Sequence, residues 1–87
     1  MPSRGEIENV AITDAATYTK VPFADIGAPA VVGIRSRGGY DIYLAFSSSP
    51  STYVTIPAGA MLEIETDKSI YLRSANATDT AEVIGLV

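Results

Sequence analysis

"YVTIPAGAMLEIETDKSIYLRS", residues 53–74, places two runs of alternating apolar and polar residues on either side of a Pro-Ala-Gly corner. Val54 and Ile56 share one parity, and Leu62 with Ile64 and Ile70 with Leu72 repeat the pattern beyond the corner. A period of two belongs to extended strands with one face toward a core. Pro57 lacks a backbone donor and fixes φ, which ends the strand that precedes it, and Gly59 permits the turn into the next. No side chain in the stretch is an evident catalyst. Its content is architectural.

The same chemistry extends outward from the corner. No segment longer than ten residues carries apolar positions at helical spacing, and Val, Ile, Thr and Tyr dominate the periodic stretches, so the chain reads as all-β. Strands are expected at 5–12, 17–23, 30–36, 40–46, 52–57, 60–66, 68–74 and 80–87. Gly27, Ala28 and Pro29 break the chain before the third, Arg37-Gly38-Gly39 suits a tight hairpin, and Ser47 to Ser51 form the next loop. Parity assigns Val32 and Ile34, then Tyr40, Ile42, Leu44 and Phe46, to core faces, with Val10, Ile12, Val21 and Phe23 completing the interior. The expected fold is a small antiparallel β-sandwich or jelly-roll-like barrel of about eight short strands, the sandwich first. Residues 1–87 form one expected domain, with 1–12 either an arm reaching a neighbour or the first strand.

An 87-residue chain buries only roughly two thirds of the surface its unfolded form exposes, and small domains add disulfides, a metal or partner subunits to compensate. With no cysteine and no histidine, disulfides are excluded and structural zinc lacks its usual ligands, which leaves partner subunits as the expected supplement. Charged residues make up 18%, against about 25% in ordinary soluble domains. Hydroxyl residues must wet the surface, or part of it is covered in an assembly. A net charge of −4 with scattered Lys and Arg opposes nucleic-acid binding. "MPSRGEIENV" has no signal-like apolar core and no run approaches a membrane span, so the expectation is a protein made and kept soluble, with no membrane partner. Asn76-Ala77-Thr78 matches a glycosylation sequon, a three-residue pattern expected by chance where no secretion signal accompanies it.

The outward parity holds the candidate site. Tyr43 and Tyr71, with Val31, would form a semi-apolar patch on one sheet, and Tyr53, Tyr71 and Arg73 flank the Pro-Ala-Gly corner as outward side chains. Tyrosine and arginine suit a protein interface because they bury much area at low entropic cost. Glu63, Glu65 and Asp67 alternate along one strand, which would present three carboxylates to a hard cation such as calcium. Their spacing along a strand opposes shared ligation, and a solvated face that discourages edge pairing is the expected reading. Catalysis has little to work with. Lys68 and Ser69 point to opposite faces of a strand, and so short a domain leaves little room for the cleft a carboxylate pair would need. No enzyme activity, cofactor or metal is expected. The lone Arg-Gly-Gly in "SRGGYDIY" is turn chemistry, although repeats of it mark RNA-binding segments.

The succession "AVVGIRSRGGYDIYLAF", a serine loop, "YVTIPAGAMLEI" and "KSIYLRSANATDTAEVIGLV" resembles short β-sandwich virion proteins of tailed bacteriophages, over about residues 20–87. The resemblance implies a capsid decoration or cement protein on the capsid exterior, made in the host cytoplasm and often trimeric. Its expected partners are further copies of itself and the major capsid protein or other virion proteins. A minor head–tail or tail accessory role is a variant of the same reading. It transfers no catalytic residue, and Gly38, Gly39, Pro57 and Gly59 become turn formers. A different class, a small carbohydrate- or ligand-binding β-sandwich module, would stack Tyr43, Tyr53 or Tyr71 on a sugar ring, although the chain lacks tryptophan, the best stacking surface.

Overall fold

The computed structural model describes residues 4–27 and 29–87. Its elements are eight strands: β1 (Gly5–Ala11), β2 (Thr19–Lys20), β3 (Val31–Ser36), β4 (Ile42–Ala45), β5 (Val54–Ile56), β6 (Met61–Glu65), β7 (Tyr71–Ser74) and β8 (Thr80–Leu86). They form two four-stranded sheets with the orders β1-β8-β3-β6 and β2-β7-β4-β5, antiparallel throughout. Only β4 and β5 are consecutive in sequence and adjacent in one sheet; every other connection crosses between sheets. That winding is the jelly roll, here an open two-sheet sandwich with β1, β6, β2 and β5 at its edges.

The core between the sheets follows the expected parity. Val10, Val32, Ile34, Ala81 and Val83 from the first sheet meet Ile42, Leu44, Ile56 and Leu72 from the second, with Ile12, Val21 and Ile70 filling the ends. Leu62, Ile64 and Phe23 pack at its border. Tyr40, Phe46 and Val54 leave it, because β4 and β5 are short and their ends splay into loops; Val54 is 51% exposed. The expected second strand shrinks to two residues paired with β7, Thr19 with Leu72 and Lys20 with Tyr71, since Pro22 cannot extend the ladder as a donor.

Two connections depart from expectation. Arg37-Gly38-Gly39 is a corner and not a hairpin: β3 pairs with β6 and β8, and β4 pairs with β5 and β7, so the glycines carry the chain from one sheet to the other. Residues 5–11 are a full strand against β8, in register from Gly5↔Leu86 to Ala11↔Thr80, and so are not an arm. Residues 1–3 and Ala28, which figured in the expected arm and chain break, lie outside the described residues. At the Pro-Ala-Gly corner, Ala60 N–H donates to Pro57 C=O at 3.0 Å and Gly59 has φ +81°, the left-handed third position of a type II turn.

Candidate interaction faces

The outward side of the β2-β7-β4-β5 sheet carries most of the residues expected at an interface. Tyr43 lies opposite Arg73 across the β4–β7 ladder, and Ala45 opposite Tyr71. The Arg73 guanidinium stacks 4.3 Å from the Tyr43 ring centroid and 5.4 Å from that of Tyr18, while its Nη1 donates to Ala15 C=O at 2.8 Å. Tyr53 meets Tyr43 edge-to-face at 5.3 Å. The planar cation is thus held between two rings, an arrangement that needs arginine rather than lysine. Tyr18, absent from the expected set, is the ring that completes it. It precedes a strand only two residues long, so no period marked its orientation.

Val31 is not part of this patch. It sits on β3, on the outward side of the other sheet, because the jelly-roll winding sends β3 and β4 to opposite layers. There it belongs to a second face that sequence parity did not single out. Three cross-strand rows make up that face. Asn9, Glu82, Arg35 and Met61 form the first; Ile7, Ile84, Gly33 and Glu63 the second; Gly5, Leu86, Val31 and Glu65 the third. Ile7 is 72% exposed and Met61 54%, with Ile84, Leu86 and Val31 half-buried. Glu82 accepts from Arg35 Nε at 2.6 Å and from Arg37 Nε at 3.1 Å, and Arg37 also donates to Asn9 at 2.7 Å. The hydrogen bonds from Arg35 and then Arg37 hold the Glu82 carboxyl below its ordinary range.

A buried carboxylate forms the most highly connected polar site. Asp79, 2% exposed, accepts from Ser36 Oγ at 2.7 Å, Ser74 Oγ at 2.9 Å, Gly38 N–H at 3.0 Å and Thr80 N–H at 2.8 Å. Ser36 Oγ in turn accepts from Gly39 and Tyr40 N–H, and Ser74 Oγ from Asn76 N–H. A Cβ on Gly38 would lie 2.6 Å from Asp79 Oδ1, so glycine is required for this close approach. Burial pushes the Asp79 carboxyl up, but the hydrogen bonds from Ser36, Ser74, Gly38 and Thr80 together outweigh it and hold the group below 3.8. Two serines beside an aspartate superficially suggest chemistry. Here each carboxylate oxygen already has two donors, and the cluster ties the β3–β4 corner to the turn between β7 and β8.

Glu63 and Glu65 project from the outward side of edge strand β6, and Asp67 lies in the turn beyond it; among the described residues no group of three or more His, Cys, Asp or Glu is placed to hold a metal ion. Asn76 Oδ1 accepts from Thr78 N–H at 2.8 Å and so serves its own turn. A groove of about 410 Å³ follows the β4–β5 hairpin, with the exposed rings of Phe46 and Tyr53 and the serine loop along it. No helix among the described residues is long and apolar enough to cross a membrane. No protein-family model, curated protein or solved structure matches the chain.

Proposed function

We propose that the chain is a non-enzymatic virion structural protein of the capsid decoration or cement type, acting by protein–protein association on the capsid exterior. The observation that carries this reading is the pair of outward sheet faces. One presents Tyr43, Tyr53, Tyr71 and a ring-stacked Arg73; the other presents Ile7, Met61, Ile84, Leu86 and Val31. Aromatic residues, methionine and arginine are the composition of interface centres. The virion assignment itself rests on the resemblance of the segments from "AVVGIRSRGGYDIYLAF" onward to phage β-sandwich proteins. Attachment is by burial of apolar area, at about 25 cal/mol per Å². Repetition over a lattice converts a modest patch into firm attachment through avidity. The partners are further copies of the chain and the major capsid protein.

The test is co-purification with intact phage particles and quantification of the chain per particle. Copies in the hundreds are expected for decoration. A handful would move the assignment to the head–tail or tail, and absence from particles would overturn it. A carbohydrate-binding module is a second reading, favoured by the groove between Phe46 and Tyr53, where two rings flank serine and threonine hydroxyls. Selective binding on a glycan array that is lost in Tyr53→Ala would establish it in place of the first.

A further inference from the structure

We infer that the outward face of the β1-β8-β3-β6 sheet is where a second copy of this chain docks, face to face about a two-fold axis parallel to the strands. The inference rests on reading the chain as an association module and specifies which surface joins its copies.

Three observations argue for this occupant. The first is the apolar content, which nothing in the described chain covers. Ile7 and Met61 are more than half exposed, and Ile84, Leu86 and Val31 lie between them on the two central strands. The outward face of the β2-β7-β4-β5 sheet differs, because its rings Tyr18, Tyr43 and Tyr53 already stack on Arg73 or on each other.

The second observation is self-complementarity. A two-fold axis between β8 and β3 exchanges those strands, so residues opposite one another in the register face each other between copies. Leu86 then meets Val31 of the second copy, and Glu82 meets its Arg35. Arg35 keeps 60% of its side chain exposed although it contacts Glu82, so its guanidinium has donors to spare for a second carboxylate. β1 of one copy then lies over β6 of the other at the two margins, so Ile7 meets the aliphatic stem of Glu63 and Met61 meets Asn9, with the Glu63 and Glu65 carboxylates reaching water at the outer edge.

The third observation is area. Four strands about 4.8 Å apart and up to seven residues long give a flat face of roughly 450 Å², and side-chain relief raises the accessible area above this. Two such faces bury about 1,000 Å² or more, the lower limit of a specific interface. Edge pairing of β1 with β1 of a second copy is the poorer use of this sheet. It would bring Glu6 and Glu8 of both copies together on one side, where the neighbouring Glu6 carboxylate already raises the Glu8 pKa within a single chain.

The test is the mass in solution of the full chain and of charge-reversed variants at low salt, by sedimentation or light scattering. Wild type is expected to be a dimer at about 100 µM. Glu82→Arg and Arg35→Glu should each weaken self-association at least about tenfold, since like charges then face each other. An equimolar mixture of the two variants should recover a dimer, which pairing within a chain cannot produce. Ile84→Lys, outward on the central strand, should be monomeric with an unchanged circular dichroism spectrum. A wild-type monomer at 100 µM, a mass other than two copies, or a mixture that stays monomeric overturns the inference. None of these outcomes bears on whether the chain is found in particles, which is tested separately.

Discussion

Replacing Asp79 by alanine removes the acceptor of four hydrogen bonds at once and leaves Ser36, Ser74, Gly38 and Thr80 with donors aimed into the vacated space. Ser74 is fully buried, so its hydroxyl cannot turn to bulk water. Each hydrogen bond to a charged group contributes about 1.5–3 kcal/mol, but the hydroxyls can rotate and water can enter, so a net loss of about 3–4 kcal/mol is expected. Against the ~4–13 kcal/mol available to a domain of this size, that is a large share, equivalent to a fall in Tm of roughly 15–25 °C. Asp79→Asn should cost less, about 1–2 kcal/mol, because its oxygen still serves the backbone N–H groups of Gly38 and Thr80. Its amide meets one saturated and one unsaturated serine. Ser36 Oγ already accepts from Gly39 and Tyr40, whereas Ser74 Oγ accepts only from Asn76.

Urea unfolding followed by far-ultraviolet circular dichroism or tyrosine fluorescence gives the measurement, as the chain has five tyrosines and no tryptophan. The carboxylate also sets a pH signature. Its folded pKa lies below the ordinary 3.8, so on acidification the unfolded chain takes up the proton first. The Asp79 contribution is complete above about pH 5 and is lost as pH falls through 3.8 toward the folded value, so wild type and Asp79→Asn converge there. Asp79→Ala within about 0.5 kcal/mol of wild type at pH 7 would refute the assignment of the cluster as the tie between the two corners.

Two further perturbations probe the sheet face and the corner. Arg73→Ala should cost about 1–2 kcal/mol in the same unfolding assay, and Arg73→Lys should recover only part of it, since lysine keeps the charge but cannot lie flat between Tyr18 and Tyr43. Gly59→Ala should cost about 1–2 kcal/mol through its φ of +81° alone, because a Cβ there meets nothing within 4 Å; Gly59→Asn, which tolerates the left-handed region, should cost less.

All eight strands were legible from period and turn chemistry, and so were core positions in or beside every strand but β8. Parity names a face without naming a layer, and this is where the reading failed. Val31 and Tyr43 both point outward, yet they lie on opposite sides of the sandwich because the Arg37-Gly38-Gly39 segment crosses between sheets. A glycine pair between two strands is equally good chemistry for a hairpin and for a corner; the acceptor that distinguishes them, Asp79, lies 41 residues from Gly38. The open apolar face was obscured for a related reason. β8 reads "TAEVIGL", and its inward positions are the small Ala81, Val83 and Gly85 while Ile84 and Leu86 point out. Gly85 must be small because the Phe23 ring occupies the space where its Cβ would stand, at 2.7 Å. Size therefore points the wrong way along this strand, and only packing resolves it.

The acidic balance of the chain also has a structural cause. Six connections cross between the sheets, with no disulfide to secure them. Each corner strands backbone N–H groups that need acceptors. Glu6 accepts from Ala24 and Asp25 before β3, Asp14 from Ala16 before β2, Asp41 from Ala58 at the Pro-Ala-Gly corner, and Asp79 from Gly38 and Thr80. Four of the ten acidic residues thus act as loop clamps, and carboxylates suit the task because each offers two acceptor oxygens. Hydrogen bonding lowers the pKa of Asp14 as it does that of Asp79, so both clamps weaken in the same direction as pH falls, and the acid sensitivity expected of Asp79 extends to a second corner. With much of the negative charge committed to the corners, the central strands of the sheet faces are left comparatively apolar, which is where contact with another chain gains most from burial.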